Sequence, residues 1–152
     1  CTDMEDCDEP LQKGRSEVIC RGSEIAILGV GSMVAVCQKV CEGLRDDRIA
    51  RATFVNARFV KPLDTGLLDQ LSKNHSLLVT VEENVKSGGF GEHVSAYMEA
   101  CHPEVRVLSL AIRDHFIEHG TVDSQRVKTG LNVQGIVDAV EQSWADLAHN
   151  RK

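Results

Sequence analysis

Four short runs of nearly uninterrupted apolar character, Glu24–Leu28, Ala52–Asn56, Ser76–Val81 and Val105–Leu110, alternate with stretches of helical periodicity. A strand that is apolar on both sides must be covered on both faces. Strands that alternate with helices build right-handed crossovers and a parallel sheet. Between the first two runs, Met33, Val36, Cys37, Val40, Cys41 and Leu44 recur at three and four, and Arg45, Asp46 and Asp47 close that helix. Pro62 and Asp64 open a second helix with Leu67, Leu68 and Leu71 on one face, and Asp64 is suited to cap its first turn. A third helix is expected from about Gly91 to Ala100. Residues 111–131 are the least regular, with a short helix near Ser124–Lys128. Asn132 then caps a last helix striped by Val133, Ile136, Val137, Val140, Trp144 and Leu147. A further strand, Arg15–Cys20, enters through the tight turn Arg21-Gly22 and therefore runs antiparallel wherever it pairs. The expected fold is α/β: a three-layer α/β/α domain with a mixed, mostly parallel five-stranded sheet whose first strand is antiparallel.

The chain has 152 residues, 42% apolar and 26% charged, which suits one domain with a packed core. Of its acidic side chains, Asp3, Glu5, Asp6, Asp8 and Glu9 fall in residues 1–12, where there is no Lys or Arg. Residues 1–12 are thus expected to be an acidic leader or linker, and 13–152 the domain. The domain is nearly neutral, which argues against a nucleic-acid-binding face. The longest apolar run, Ile25–Val36, is too short to span a membrane, and no signal-peptide series is visible at the start. The first residue is Cys1, so a piece of a longer protein is expected. The six cysteines, Cys1, Cys7, Cys20, Cys37, Cys41 and Cys101, show no C-x-x-C spacing. Cys37 and Cys41 share a helix face and read as buried, reduced thiols in a reducing compartment, without a metal.

Parallel strands bring the loops after strands two to five to one edge, where α/β domains bind ligands. That edge gathers Gly29-Val30-Gly31-Ser32, Arg58, Lys61, Asp64, Glu82, Glu83, Gly88, Gly89, Phe90, Gly91, Asp114 and His119. The first glycine turn departs from a dinucleotide fingerprint, with Val34 at the third position and Asn56 ending the next strand. Gly88-Gly89-Phe90-Gly91 either cradles an anion through its N–H groups or lets the chain turn sharply against a neighbour. Glu82 and Glu83 are adjacent in an extended segment, so they point to opposite faces and do not form an acid/base dyad. His115 and His119 accompany Asp114 without a nucleophile elbow. The cations Arg58, Lys61, Lys86 and Arg113 nearly balance Asp64, Glu82, Glu83, Asp114 and Glu118, so a salt-bridged rim that docks onto another domain is expected.

Three motifs carry a resemblance: Asn56-Ala-Arg58-Phe-Val-Lys61-Pro62-Leu-Asp64, Val81-Glu82-Glu83 with Gly88-Gly89-Phe90-Gly91, and Ile112-Arg-Asp114-His-Phe116-Ile-Glu-His119-Gly120 with Thr129-Gly130-Leu131. Together they resemble the C-terminal domain of transketolase-like thiamine diphosphate enzymes. Among these they are more similar to the 1-deoxy-D-xylulose 5-phosphate synthases than to 2-oxo acid dehydrogenase beta subunits. The resemblance runs from about Leu11 to Leu147, and Asn56 stands where that family commonly has Asp.

The resemblance implies a full enzyme that joins pyruvate to glyceraldehyde 3-phosphate, with loss of carbon dioxide, in isoprenoid precursor synthesis. The diphosphate of thiamine diphosphate and Mg²⁺ would be held by the first domain, through a Gly-Asp-Gly signature that this chain lacks, and the second domain would cover the aminopyrimidine and supply a glutamate. The third domain would bind no cofactor and supply no catalytic residue. Its role would be packing against the other domains and a second subunit of a homodimer, with possible regulation, in a bacterial cytoplasm or a plastid. Alternatives are the matching domain of another thiamine-dependent enzyme, or a stand-alone anion-binding module.

Overall fold

The structure, a computed structural model, describes residues 10–44, 52–114 and 116–150. The elements follow in the order β1 (Glu17–Cys20), β2 (Glu24–Gly29), α1 (Met33–Gly43), β3 (Thr53–Asn56), α2 (Thr65–Leu71), β4 (His75–Val85), α3 (Phe90–Cys101), β5 (Arg106–Ile112), α4 (Val122–Thr129) and α5 (Val133–Asn150). One sheet in the order β1-β3-β2-β4-β5 holds all five strands. β1 is antiparallel to β3, and the other pairings are parallel. The expected class is therefore observed. The first strand lies beside β3 and not beside β2, to which its tight turn leads.

Alternation along the central strands feeds two cores. Ile25, Ile27, Leu77, Val79 and Val81 pack with Met33, Cys37 and Val40 of α1 and Ile136 and Val140 of α5. Ala26, Leu28 and Leu78 face the other way, toward Leu67, Leu68 and Leu71 of α2 and Phe90, Val94 and Met98 of α3. Each large side chain buried in this way contributes roughly 1.5–3 kcal/mol. The stripe expected on the last helix joins the first core along its length. Cys37 and Cys41 are buried in that core, where burial, with the neighbouring Cys41, pushes the Cys37 thiol up to about 12.

Several boundaries differ from the sequence-based reading. β4 continues through Glu82 and Glu83 to Val85, where a loop was expected, because Val85 pairs with Ile112 after a register break. The glycine loop shrinks to residues 86–89, and α3 already begins at Phe90. Pro62 lies ahead of α2 and not in its first turn, but Asp64 caps it as expected, accepting from the Leu67 N–H at 3.1 Å. The polar closure at Arg45–Asp47, most of the acidic leader, and Cys1, Cys7 and His115 lie outside the described residues.

Candidate functional site

The parallel strands bring the selected loops to one edge of the sheet. There they are spread along it. Arg58, Lys61 and Asp64 follow β3, while Asp114 and His119 follow β5, three strand spacings away. At about 4.8 Å per spacing this is roughly 14 Å. Glu82 and Glu83 lie between them, at the end of β4.

Glu82 is 2% exposed, and its carboxylate accepts the N–H groups of Phe90 and Gly91, both at 2.8 Å. These are free donors of the first turn of α3, where a negative charge also meets the positive end of the helix dipole. A Cβ on Gly89 would lie 2.6 Å from a Glu82 carboxylate oxygen and 2.7 Å from the Val85 carbonyl. A Cβ on Gly91 would collide with the hydroxyl oxygens of Thr80 and Ser109. The loop therefore needs glycine to lie close to β4 and β5, and its helix end already holds the chain's own carboxylate. Gly88 donates in turn to Glu92.

Glu83 leaves the strand on the other face. It accepts the Ser32 hydroxyl at 2.5 Å and two N–H groups of Arg126 at 2.9 and 3.1 Å. Ser32 is the N-cap of α1. The Arg126 guanidinium, and then the Ser32 hydroxyl, hold the Glu83 carboxyl below its usual range. In the preceding turn Gly31 takes a φ of +60°, which favours glycine, and Gly29 packs against Cys37 and Val34. The turn thus serves close packing.

Charges of the expected rim pair with residues outside the set read from the sequence. Arg58 meets Glu17 at 2.8 Å, Asp64 meets Arg15 at 3.5 Å, and Lys128 meets Glu118 at 2.8 Å. The cause of the first two is the place of β1 beside β3, which delivers Arg15 and Glu17 to this edge. Arg126, the partner of Glu83, carried no sequence signal beyond the short helix foreseen around it. Lys61, Asp114 and His119 are exposed at the rim. The same edge exposes apolar side chains: Phe116 is 90% exposed, and Val122 and Val127 are exposed on α4. α4 buries none of its residues.

At the opposite edge a cavity of about 550 Å³ is lined by Glu24, Lys73, Asn74, His75 and Glu104, among others. His75 is committed to structure: Nδ1 donates to the Leu71 carbonyl at 2.9 Å, and Nε2 accepts the Thr53 hydroxyl at 2.7 Å. Nearby, Asp69 accepts from Tyr97 at 2.8 Å and pairs with His102 at 2.7 Å, tying α2 to the end of α3.

Residues 14–136 match the family described as Transketolase, C-terminal domain. The chain belongs to this family. It is 42% identical over 138 residues to a 1-deoxy-D-xylulose-5-phosphate synthase of Lachnoclostridium phytofermentans, covering 90% of this chain and 22% of that protein. It is 40% identical over 131 residues to the enzyme of the same name in Pseudoalteromonas translucida, covering 86% of this chain and 20% of the relative. A probable chloroplastic 1-deoxy-D-xylulose-5-phosphate synthase 2 of Oryza sativa is 39% identical, covering 86% of this chain and 18% of that protein. The chain thus spans about a fifth of the length of these relatives. Among solved structures, a split-gene transketolase described as an inactive beta4 tetramer superposes with a TM-score of 0.79 at 28% identity, covering 89% of this chain and 43% of that one. The likeness read from the loop motifs and the fold agree with these relatives.

The transketolase likeness raises the question of a thiamine diphosphate and Mg²⁺ site, and the residues present do not fit one. The helix end and the glycine loop that would meet a diphosphate are engaged by Glu82 and Glu92. Among the described residues no group of three or more His, Cys, Asp or Glu is placed to hold a metal ion. No helix of the described residues is long and apolar enough to cross a membrane.

Proposed function

We propose that this chain is the C-terminal domain of a 1-deoxy-D-xylulose 5-phosphate synthase and acts as its docking domain. In this reading the full enzyme joins pyruvate to glyceraldehyde 3-phosphate with loss of carbon dioxide. Thiamine diphosphate, bound with Mg²⁺ by the other domains, supplies the carbanion chemistry. This chain contributes no catalytic group. Its partners are the preceding domains of the same polypeptide and a second subunit.

One observation supports the docking role most directly. At the loop edge Glu82 accepts the first N–H groups of α3 and Glu83 accepts the N-cap hydroxyl of α1, while Phe116 after β5 stands 90% exposed and Val122 and Val127 are exposed on α4. Among the described residues, an edge whose glycine loop is filled by the chain's own carboxylates, and which exposes a large aromatic side chain, suits a protein surface better than a free anion. The stand-alone anion-binding module lacks a comparable observation.

The test replaces the C-terminal segment of the Lachnoclostridium phytofermentans relative with this chain. The chimera is expected to turn over, and Phe116→Asp in it to lower turnover at least about tenfold through loss of docking. The 152-residue chain alone is expected neither to turn over the substrates nor to retain the cofactor in calorimetry. Saturable micromolar binding of thiamine diphosphate to the chain alone would overturn the reading, as would full turnover by the Phe116→Asp chimera.

A further inference from the structure

The two edges of the sheet are built differently. β1 is four residues long, carries Glu17 in an ion pair with Arg58, and breaks register between Val18 and Cys20. Short length, charge and irregularity are the means by which exposed edges avoid further pairing. β5 has none of them. It runs for seven residues, Arg-Val-Leu-Ser-Leu-Ala-Ile, with its one charge at the first position and neither Gly nor Pro. Val107 to Ile112 are all half-buried. Among the described residues β5 has β4 on one side and no strand on the other. The Ile112 carbonyl accepts from the Lys86 N–H beyond β4, so Ile112 turns its backbone toward that side. Strand alternation then turns the N–H and C=O groups of Val107, Ser109 and Ala111 outward.

We propose that β5 pairs antiparallel with β5 of a second copy of this chain, about a two-fold axis at Leu110. The sequence is self-complementary in that register. Leu110 meets its twin, Leu108 meets Ile112, Ser109 meets Ala111, and Arg106 meets Asp114 at both ends. Centring on Ser109 would set Glu104 against Asp114, and centring on Ala111 would set Leu108 against Asp114. Only the Leu110 centre joins opposite charges and keeps apolar residues together. Leu108, Leu110 and Ile112 already pack against the core under α1 and α5, so the pairing extends that core across the axis. The contact is isologous and closes at two copies. It rests on β5 itself and holds whichever reaction the parent enzyme performs.

The test is sedimentation of the chain at concentrations up to about 0.1 mM, with Arg106→Asp, Asp114→Arg and the double variant alongside. The parent chain is expected to dimerise. Each single variant sets like charges opposite one another and is expected to weaken the dimer at least about tenfold. The double variant is expected to return it to within about threefold of the parent. Far-ultraviolet circular dichroism checks that each variant is folded. As a measurement independent of the charges, Leu110→Cys under mild oxidation is expected to join two peptides containing position 110, since such opposed positions lie about 4.5 Å apart. A monomeric parent chain, a dimer indifferent to both single variants, or a double variant no better than either would each overturn the proposal.

Discussion

Glu82 and Glu83 are consecutive residues that serve helix ends on opposite faces of the sheet. Glu82 takes the Phe90 and Gly91 N–H groups of α3 at 2.8 Å, and Glu83 takes the Ser32 hydroxyl at the start of α1 at 2.5 Å. Strand alternation alone gives two neighbouring carboxylates these separate roles. Each lies where a helix dipole favours negative charge, which is also where a phosphate would otherwise bind. The edge that α/β domains commonly use for ligands is here tied down from within.

Replacing Glu82 should be costly although it touches no substrate. Hydrogen bonds to a charged group contribute about 1.5–3 kcal/mol, and Glu82→Ala would leave two buried N–H groups without an acceptor. Glu82→Gln should lose about half of that, because one oxygen remains. Gly89→Ala should cost as much as Glu82→Ala, since its Cβ would press on both the carboxylate and the Val85 carbonyl. Urea unfolding midpoints measure all three. A Gly89→Ala midpoint equal to that of the parent would show that the loop is not held as described.

The strands and the stripe of α5 were legible because local periodicity encodes them. The Asp64 cap was legible because its acceptor lies three residues from its donor. What escaped was set by strand order. Arg126 reaches Glu83 across 43 residues of sequence, and Glu17 reaches Arg58 only because β1 lies beside β3. Charge counting found a balanced rim but not the residues that pair with its charges, since Arg15, Glu17, Arg126 and Lys128 lay outside the counted set. The end of β4 was misplaced for a related reason: Glu82 looks like a loop residue until its two N–H donors, eight and nine positions later, are seen.

The Glu83–Arg126 pair should matter far less than Glu82. Both side chains reach solvent, and exposed pairs contribute about 0–1 kcal/mol. Arg126→Ala should therefore shift the unfolding midpoint only slightly, and less at high salt. With the Glu83 carboxyl held low in the fold, its contribution is present above the ordinary glutamate range and is lost as pH falls through the folded value. A large midpoint shift in Arg126→Ala would instead mean that the pair holds α4 in place.

Cysteine reactivity should divide by burial. Cys37 lies in the core with its thiol pushed up to about 12, so at pH 8 it carries almost no thiolate. Cys101 is exposed at the end of α3. Brief treatment with iodoacetamide followed by peptide mapping should label Cys101 and leave Cys37 unmodified until urea is added. Equal labelling of the two in the folded chain would contradict the burial of α1.

His75 should make the fold sensitive to mild acid. Leu71 offers only a carbonyl, so Nδ1 carries the proton. Nε2 must then accept from Thr53, whose oxygen accepts the Gly22 N–H at 2.9 Å. Every group in this chain is satisfied only while the imidazole is neutral, and burial lowers its pKa from 6.5. Above that value the ring is neutral in both the folded and the unfolded chain, and it adds no pH dependence. As pH falls below about 6.5, the unfolded chain takes up a proton that the folded chain refuses. Stability drops through this window until the folded His75 itself titrates. His75→Gln can keep one donor and one acceptor without titrating, so its stability should lack this slope. Urea unfolding of both proteins between pH 7.5 and pH 5 isolates the effect, because the other histidines are common to both. Thr53→Val is the companion variant: it strands the Gly22 N–H and removes the donor to Nε2, at about 1–3 kcal/mol near neutral pH. Parallel pH profiles for the parent and His75→Gln would show that His75 already binds its proton in the fold.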